Sequence, residues 1–176
     1  MVDEDLEQLV VDLADHVRNR YFGKYRGLVQ EVPEDEQLGR IVARVPSVYG
    51  DGISPRAWPA VPFAGQDHGF VTLPEVGDGV WIEFEAGDPA KPIWTGCWWA
   101  KGEMPESAGP SRRVLITPKA LKVVLDDEGR KIQLLHPDGA EITMAANDIT
   151  IKIGSTKIVL SSSGVDVNNG AFKVGT

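Results

Sequence analysis

Residues 121–174 read LKVVLDDEGRKIQLLHPDGAEITMAANDITIKIGSTKIVLSSSGVDVNNGAFKV, and their spacing decides the architecture of the C-terminal third. Apolar residues recur two apart in short runs: Leu121/Val123/Leu125, Ile132/Leu134, Ile142/Met144, Ile149/Ile151/Ile153, Ile158/Leu160, Val165/Val167 and Phe172/Val174. A two-residue spacing places side chains on one face of an extended strand, so each run predicts a strand with a single apolar face. The segments between them, DDEGRK, HPDG, AND, GST, SSSG and NNGA, are turn-forming in composition.

The runs centre near 123, 133, 143, 151, 159, 166 and 173, so the repeat shortens toward the C-terminus. A fixed period marks an array whose units cover one another. Each unit here supplies only two or three apolar residues, and no helical segment lies nearby to cover them. One thin meander leaves that face wet and its edges unpaired. Three chains wound around one axis meet both demands, because the apolar faces fill a common core and edges pair between chains. Shortening laps predict a prism that narrows. One sheet of an ordinary β-sandwich shows the same alternation, since alternation does not count chains.

Working outward, a polar, Gly/Pro-containing linker (AKGEMPESAGPSRR) precedes this region. Before it, LGRIVARVPSVYG, FVTLPEVGDGVWIEFEAG and KPIWTGCWW are β-rich runs punctuated by glycine and proline. Val80, Ile82 and Phe84 alternate with Trp81, Glu83 and Glu85. Five or six short strands in about 75 residues predict a small closed barrel of the OB type. From Asp3 to Arg20 the spacing of Leu6, Leu9, Val10, Leu13 and Val17 predicts an amphipathic helix. Its stripe either packs on its own domain or docks on a neighbouring protein. The expected organisation is a helix over 1–22, a barrel over 23–100, a linker over 101–113 and a β array over 114–176.

The formal net charge of the 176-residue chain is −8, and residues 1–36 hold ten acids against four bases. Phosphate recognition needs the opposite sign, so nucleic acid is a poor partner. No run of about 18 apolar residues exists, which removes a membrane-spanning helix. The acidic N-terminus and the single cysteine, Cys97, lead us to expect synthesis and folding in the cytoplasm.

Chemistry-bearing residues are sparse. His16, His68 and His136 lie in three regions without metal-ligand spacing, and none neighbours Cys97. Cys97, between Gly96 and Trp98, is expected to be a small buried thiol. Glu83 and Glu85 fall two apart on a strand, about 6–7 Å, a separation at which carboxylate pairs serve glycoside hydrolysis. Alternating glutamates are also what any wet strand face shows. Ser161–Ser163 lack the strand–turn–helix elbow of a nucleophile. The tryptophans Trp58, Trp81, Trp94, Trp98 and Trp99 could form a sugar platform, though packing explains them as well. We therefore expect no catalytic residues, no metal and no cofactor. Two alternatives stand beside this: an OB-fold module binding glycan or nucleic acid, and a lytic enzyme using Glu83 and Glu85.

GRIVARVPSVYGD and AWPAVPFAGQDHGFVTLPEVGDGVWIEFEAGDPAKPIWTGCWW resemble the OB domain of phage baseplate assembly protein V. They are also similar to the spike proteins of type VI secretion (VgrG) and of extracellular contractile injection systems. The specific pieces are Leu73-Pro74-Glu75-Val76-Gly77-Asp78, the Gly87-Asp88-Pro89 turn, and Pro92 to Gly96 with the tryptophans that follow. Residues 114–176 match that family in pattern, as its intertwined triple-stranded β-helix. The resemblance implies an all-β homotrimer with a short N-terminal helix, built into a phage tail or injection particle as its central, cell-puncturing spike. Leu121 through Val174 of the runs above would form the trimer core. It further implies baseplate hub or tube proteins at the N-terminal side, docked on Leu6, Leu9, Val10, Leu13 and Val17. Some relatives end in a metal-binding His-x-His tip, which this sequence lacks. A separate PAAR-type tip protein is then expected on Phe172, Val174, Gly175 and Thr176, with transient contact to the target envelope.

Overall fold

The computed structural model describes residues 2–34 and 38–175. The chain divides into two compact units at Glu103/Met104. The first begins with helix α1 (Val2–Arg18), followed by strands β1 (Tyr25–Glu31) and β2 (Val42–Arg44) and the single-turn helix α2 (Pro46–Tyr49). Next come β3 (Trp58–Pro59), the small hairpin β4 (Ala64–Gly65) and β5 (His68–Gly69), then β6 (Gly79–Phe84) and β7 (Pro92–Trp98).

Five of these strands form one sheet in the order β2-β1-β6-β7-β3. Two irregularities curl it: the register shifts in β1 between Val29 and Glu31, and again where β6 meets β7 between Val80 and Ile82. A bulge adds a residue to one strand and increases local twist, which a short sheet needs in order to close. Closure comes from Ile41, just before β2, and Ala57, just before β3, which exchange backbone hydrogen bonds of 3.2 and 2.7 Å. The two edges are thus joined, giving the small barrel expected from the sequence.

Val29, Ile41, Ala43, Val45, Ala57, Val80, Ile82, Phe84 and Trp94 fill its interior. Val80, Ile82 and Phe84 all point inward, as their alternation requires. Ser54 is the buried polar residue of this core; its Oγ accepts the Ala43 N–H at 2.9 Å, so burial leaves it satisfied. At one end Tyr49 donates its hydroxyl to the Pro89 carbonyl at 2.7 Å. Burial, and secondarily the Asp88 charge, push its pKa up to about 12.

The chain enters and leaves this barrel at opposite ends. After α1, the Tyr21 N–H bonds the Gly87 carbonyl at 2.9 Å and Arg20 Nη1 bonds the Ala86 carbonyl at 3.3 Å. These contacts pin the start of the barrel to the β6–β7 turn. Strand β7 then runs from Pro92, opposite Phe84, to Trp98, opposite Gly79. The exit therefore lies a full β6 length away, roughly 17 Å.

The second unit is an antiparallel meander of eight strands. These are β8 (Arg112–Ile116), β9 (Lys122–Asp126), β10 (Lys131–Leu135), β11 (Ala140–Met144), β12 (Asp148–Ile153), β13 (Thr156–Ser161), β14 (Gly164–Val167) and β15 (Phe172–Val174). Each pairs with its sequence neighbours, in order from β8 to β15. Loops of two to five residues make that the shortest available pairing. The inner strands therefore complete their ladders within one chain, where interchain pairing was expected from the sequence. Among the described residues, only the outer edges of β8 and β15 remain open. Strands shorten at the end of the array, from six residues in β13 to four in β14 and three in β15.

Gly79 shows how tightly the barrel is built. A Cβ there would lie 2.6 Å from the Trp98 ring and 2.8 Å from its carbonyl oxygen. Gly79→Ala should destabilise the barrel by about 1–3 kcal/mol, the usual cost of overpacking. Urea denaturation followed by tryptophan fluorescence checks this, because all five tryptophans lie in the first unit.

Candidate functional site: an apolar face on the C-terminal sheet

In the second unit, the short loops keep every strand in a register that places apolar residues opposite apolar residues. One row runs Leu125, Ile132, Met144, Ile149, Leu160, Val165, Val174 across β9 to β15. A second runs Leu115, Val123, Leu134, Ile142, Ile151, Ile158, Val167, Phe172 across β8 to β15. Adjacent strands lie about 4.8 Å apart, so each row is roughly 30 Å long. Every pair is a direct cross-strand contact, the unit by which sheets are stabilised. Of the runs read in the sequence, Leu121 and Ile153 fall outside these two rows. Both line a hollow of about 420 Å³ on the same face, beside Leu115, Leu134 and Ile142. Leu115 was missed in the sequence, because Arg113, two residues before it on the same face, breaks the apolar spacing.

The opposite face is largely polar and internally paired, with Val114, Val124 and Val159 interspersed, of which Val124 is fully buried. Gln133 donates to Thr143 at 3.2 Å. Arg112 and Lys131 approach Asp126 at 3.6 and 4.0 Å, and Lys152 approaches Glu141 at 4.0 Å. Burial in this unit is inverted relative to an ordinary one-sided sheet. Along β10 the exposed residues are Ile132 and Leu134, while Lys131, Gln133 and Leu135 are half-buried. Leu134 sits in the middle of the sheet and is still 47% exposed. Contiguous apolar surface of this extent marks an interface.

Other residues singled out in the sequence are dispersed or occupied elsewhere. Strand β6 ends at Phe84, and Glu85 starts the turn that follows, so it does not share a strand face with Glu83. Glu83 is instead held by Lys24 Nζ at 2.6 Å, and Lys24 also donates to Thr95 at 2.9 Å. Trp81 and Trp98 take the Arg26 guanidinium at 5.4 and 5.1 Å from their ring centroids. Trp94 is buried, with its indole N–H on the Gly39 carbonyl at 3.0 Å. Trp58 lies under Arg40, 4.9 Å from its ring centroid. These contacts account for four of the tryptophans as packing elements, and Trp99 is exposed.

Cys97, expected to be buried, is exposed on β7. The bulge beside Gly96 breaks the in–out alternation there. Partial burial and then the Asp78 carboxylate raise its thiol pKa, which disfavours the nucleophilic thiolate. His68 stacks on Phe63 with centroids 6.5 Å apart, and its Nδ1 lies 2.8 Å from the Gln66 carbonyl. The His136 Nδ1 accepts the Asp138 N–H at 3.2 Å. The His16 side chain lies outside the described residues. Ser161 and Ser163 hydrogen-bond each other at 2.9 Å in the turn before β14. Among the described residues, no three histidine, cysteine or acidic side chains are placed to hold a metal ion.

Residues 25–99 match the injector OB domain shared by type VI secretion systems and phage baseplates. Residues 113–173, the segment carrying both apolar rows but for Val174, match the C-terminal trimerisation domain of phage baseplate V. The chain belongs to the phage baseplate V family. No curated protein matches it. Membership makes it a spike-type structural component of a phage or type VI baseplate, and the trimerisation domain makes it a homotrimer.

Leu134→Asp should convert the assembly from three times 19.1 kDa to a single chain in light scattering. A carboxylate in the middle of an apolar core has no partner there, and removing Leu134 forfeits about 1.5–3 kcal/mol per copy besides. Gln133→Lys, on the opposite face, should leave the trimer intact.

Proposed function

We propose that three copies bring their apolar rows together around one axis, and that the resulting β needle transmits the thrust of a contracting sheath to the target envelope. The observation that carries this reading is the pair of in-register apolar rows, seven and eight strands deep and mostly exposed in the single chain. A core made only by association forces the three chains to act as one rod. Backbone hydrogen bonds between successive strands run along the direction in which the rows extend, so compression loads an unbroken ladder.

The opposite entry and exit of the barrel supports an orientation. Helix α1 joins at the β6–β7 turn, and the chain leaves the barrel at the far end of β7. Hub or tube proteins then meet the α1 end, through Leu6, Leu9, Val10, Leu13 and Val17. The needle carries Phe172, Val174 and Gly175 at its C-terminal tip; Thr176 lies outside the described residues. Phe172 is 62% exposed, and the outer edge of β15 is open. An open edge beside apolar side chains suits strand addition by a PAAR-type tip protein. In this reading the chain works by mechanics, and target contact is transient.

Two measurements test it. Electron microscopy of particles assembled with the Leu134→Asp chain should show baseplates without a central spike; spikes present at normal occupancy would overturn the proposal. Purified wild-type trimer should leave peptidoglycan intact in a zymogram. Clearing that is lost on Glu83→Gln would replace the mechanical role with a lytic one.

A further inference from the structure

The stripe of α1 is uncovered in the structure. Leu6, Leu9, Val10, Leu13 and Val17 are all more than half exposed, Leu9 at 63%. At 100° per residue they span an arc of about 100°, the width of a face that packs against something. Glu7 and Asp12 border that arc on either side, and Gln8 holds Asp12 in place at 2.8 Å. The helix carries Asp3, Glu4, Asp5, Glu7, Asp12 and Asp15 against Arg18, a formal charge of −5.

Three occupants can be weighed by charge and length. Three α1 copies packed together would gather fifteen negative charges around a seam of little more than two heptads, shorter than coiled coils need. A cytoplasmic membrane surface is itself anionic and repels such a helix. An apolar groove bordered by lysines and arginines satisfies both the stripe and its carboxylate flanks.

We propose that each α1 docks separately into an apolar, basic-rimmed groove on a partner protein, so that one trimer engages three such grooves. This deepens the hub-facing reading of the barrel's α1 end and rests on it. Three linked contacts raise the effective affinity well above that of one helix.

The experiment uses the full-length trimer and, as probe, the purified tube protein of the same particle. Binding is measured at 50 and 500 mM NaCl. Leu9→Ser/Leu13→Ser and Glu7→Lys/Asp12→Lys should each weaken binding at least tenfold while light scattering still returns a trimer. The wild type should lose about tenfold with added salt, and the charge-reversed variant should not. In a Leu13→Cys/Cys97→Ser trimer without partner, mild oxidation should give no interchain disulfide. Unchanged binding of the charge-reversed chain, or rapid disulfide formation at position 13, overturns the inference while leaving the hub-facing reading in place. So does preferential binding to anionic lipid vesicles. A wild-type trimer without affinity for the tube protein overturns the hub-facing reading itself, and this inference with it.

Discussion

A sheet whose apolar face is left largely exposed is the constraint from which the rest of this protein follows. Eight strands place Leu134, Ile142, Ile151 and their neighbours in register on that face, and they remain exposed in the single chain. Burying them is worth about 25 cal/mol for each Å² removed from water. In the proposed assembly the second unit gains its core when three copies meet, the number that the matched trimerisation domain supports. The polar face, with its Gln133–Thr143 bond and its Asp126 and Glu141 ion pairs, is suited to water.

The first unit is organised differently, because it closes on itself. Two register shifts and the Ile41–Ala57 bridge turn five short strands into a barrel with an interior of its own. Helix α1 joins that barrel at one end, and the chain leaves it at the other. The contacts that define the α1 end are the Tyr21 backbone N–H on the Gly87 carbonyl and the Arg20 guanidinium on the Ala86 carbonyl. The orientation thus depends on the conformation of the Glu85–Gly87 turn, which presents both carbonyls.

The residues that first suggest chemistry turn out to be absorbed by this framework. Glu83 neutralises Lys24, and Trp81 and Trp98 take Arg26 on their faces. Such contacts occupy the groups that a sugar or catalytic site would need free. The glutamate spacing was misleading because a strand pattern continues on paper past Phe84, where the backbone has already turned.

Much was determined by the sequence itself. Two-residue spacing between turn-forming segments dictates one-faced strands, because side chains alternate across an extended backbone whatever surrounds it. The same holds for Val80, Ile82 and Phe84, and for the helical stripe from Leu6 to Val17. Tertiary structure decided what spacing leaves free: which strand pairs with which, and what each face meets. Pairing within the chain followed from loop lengths and cross-strand register, and it showed that the inner edges need no second chain. Leu115 joined the second row only through its register with Val123, as no local pattern marks it. Cys97 moved to the surface through a bulge, a one-residue slip that reverses the side a residue faces and leaves no trace in hydrophobic periodicity.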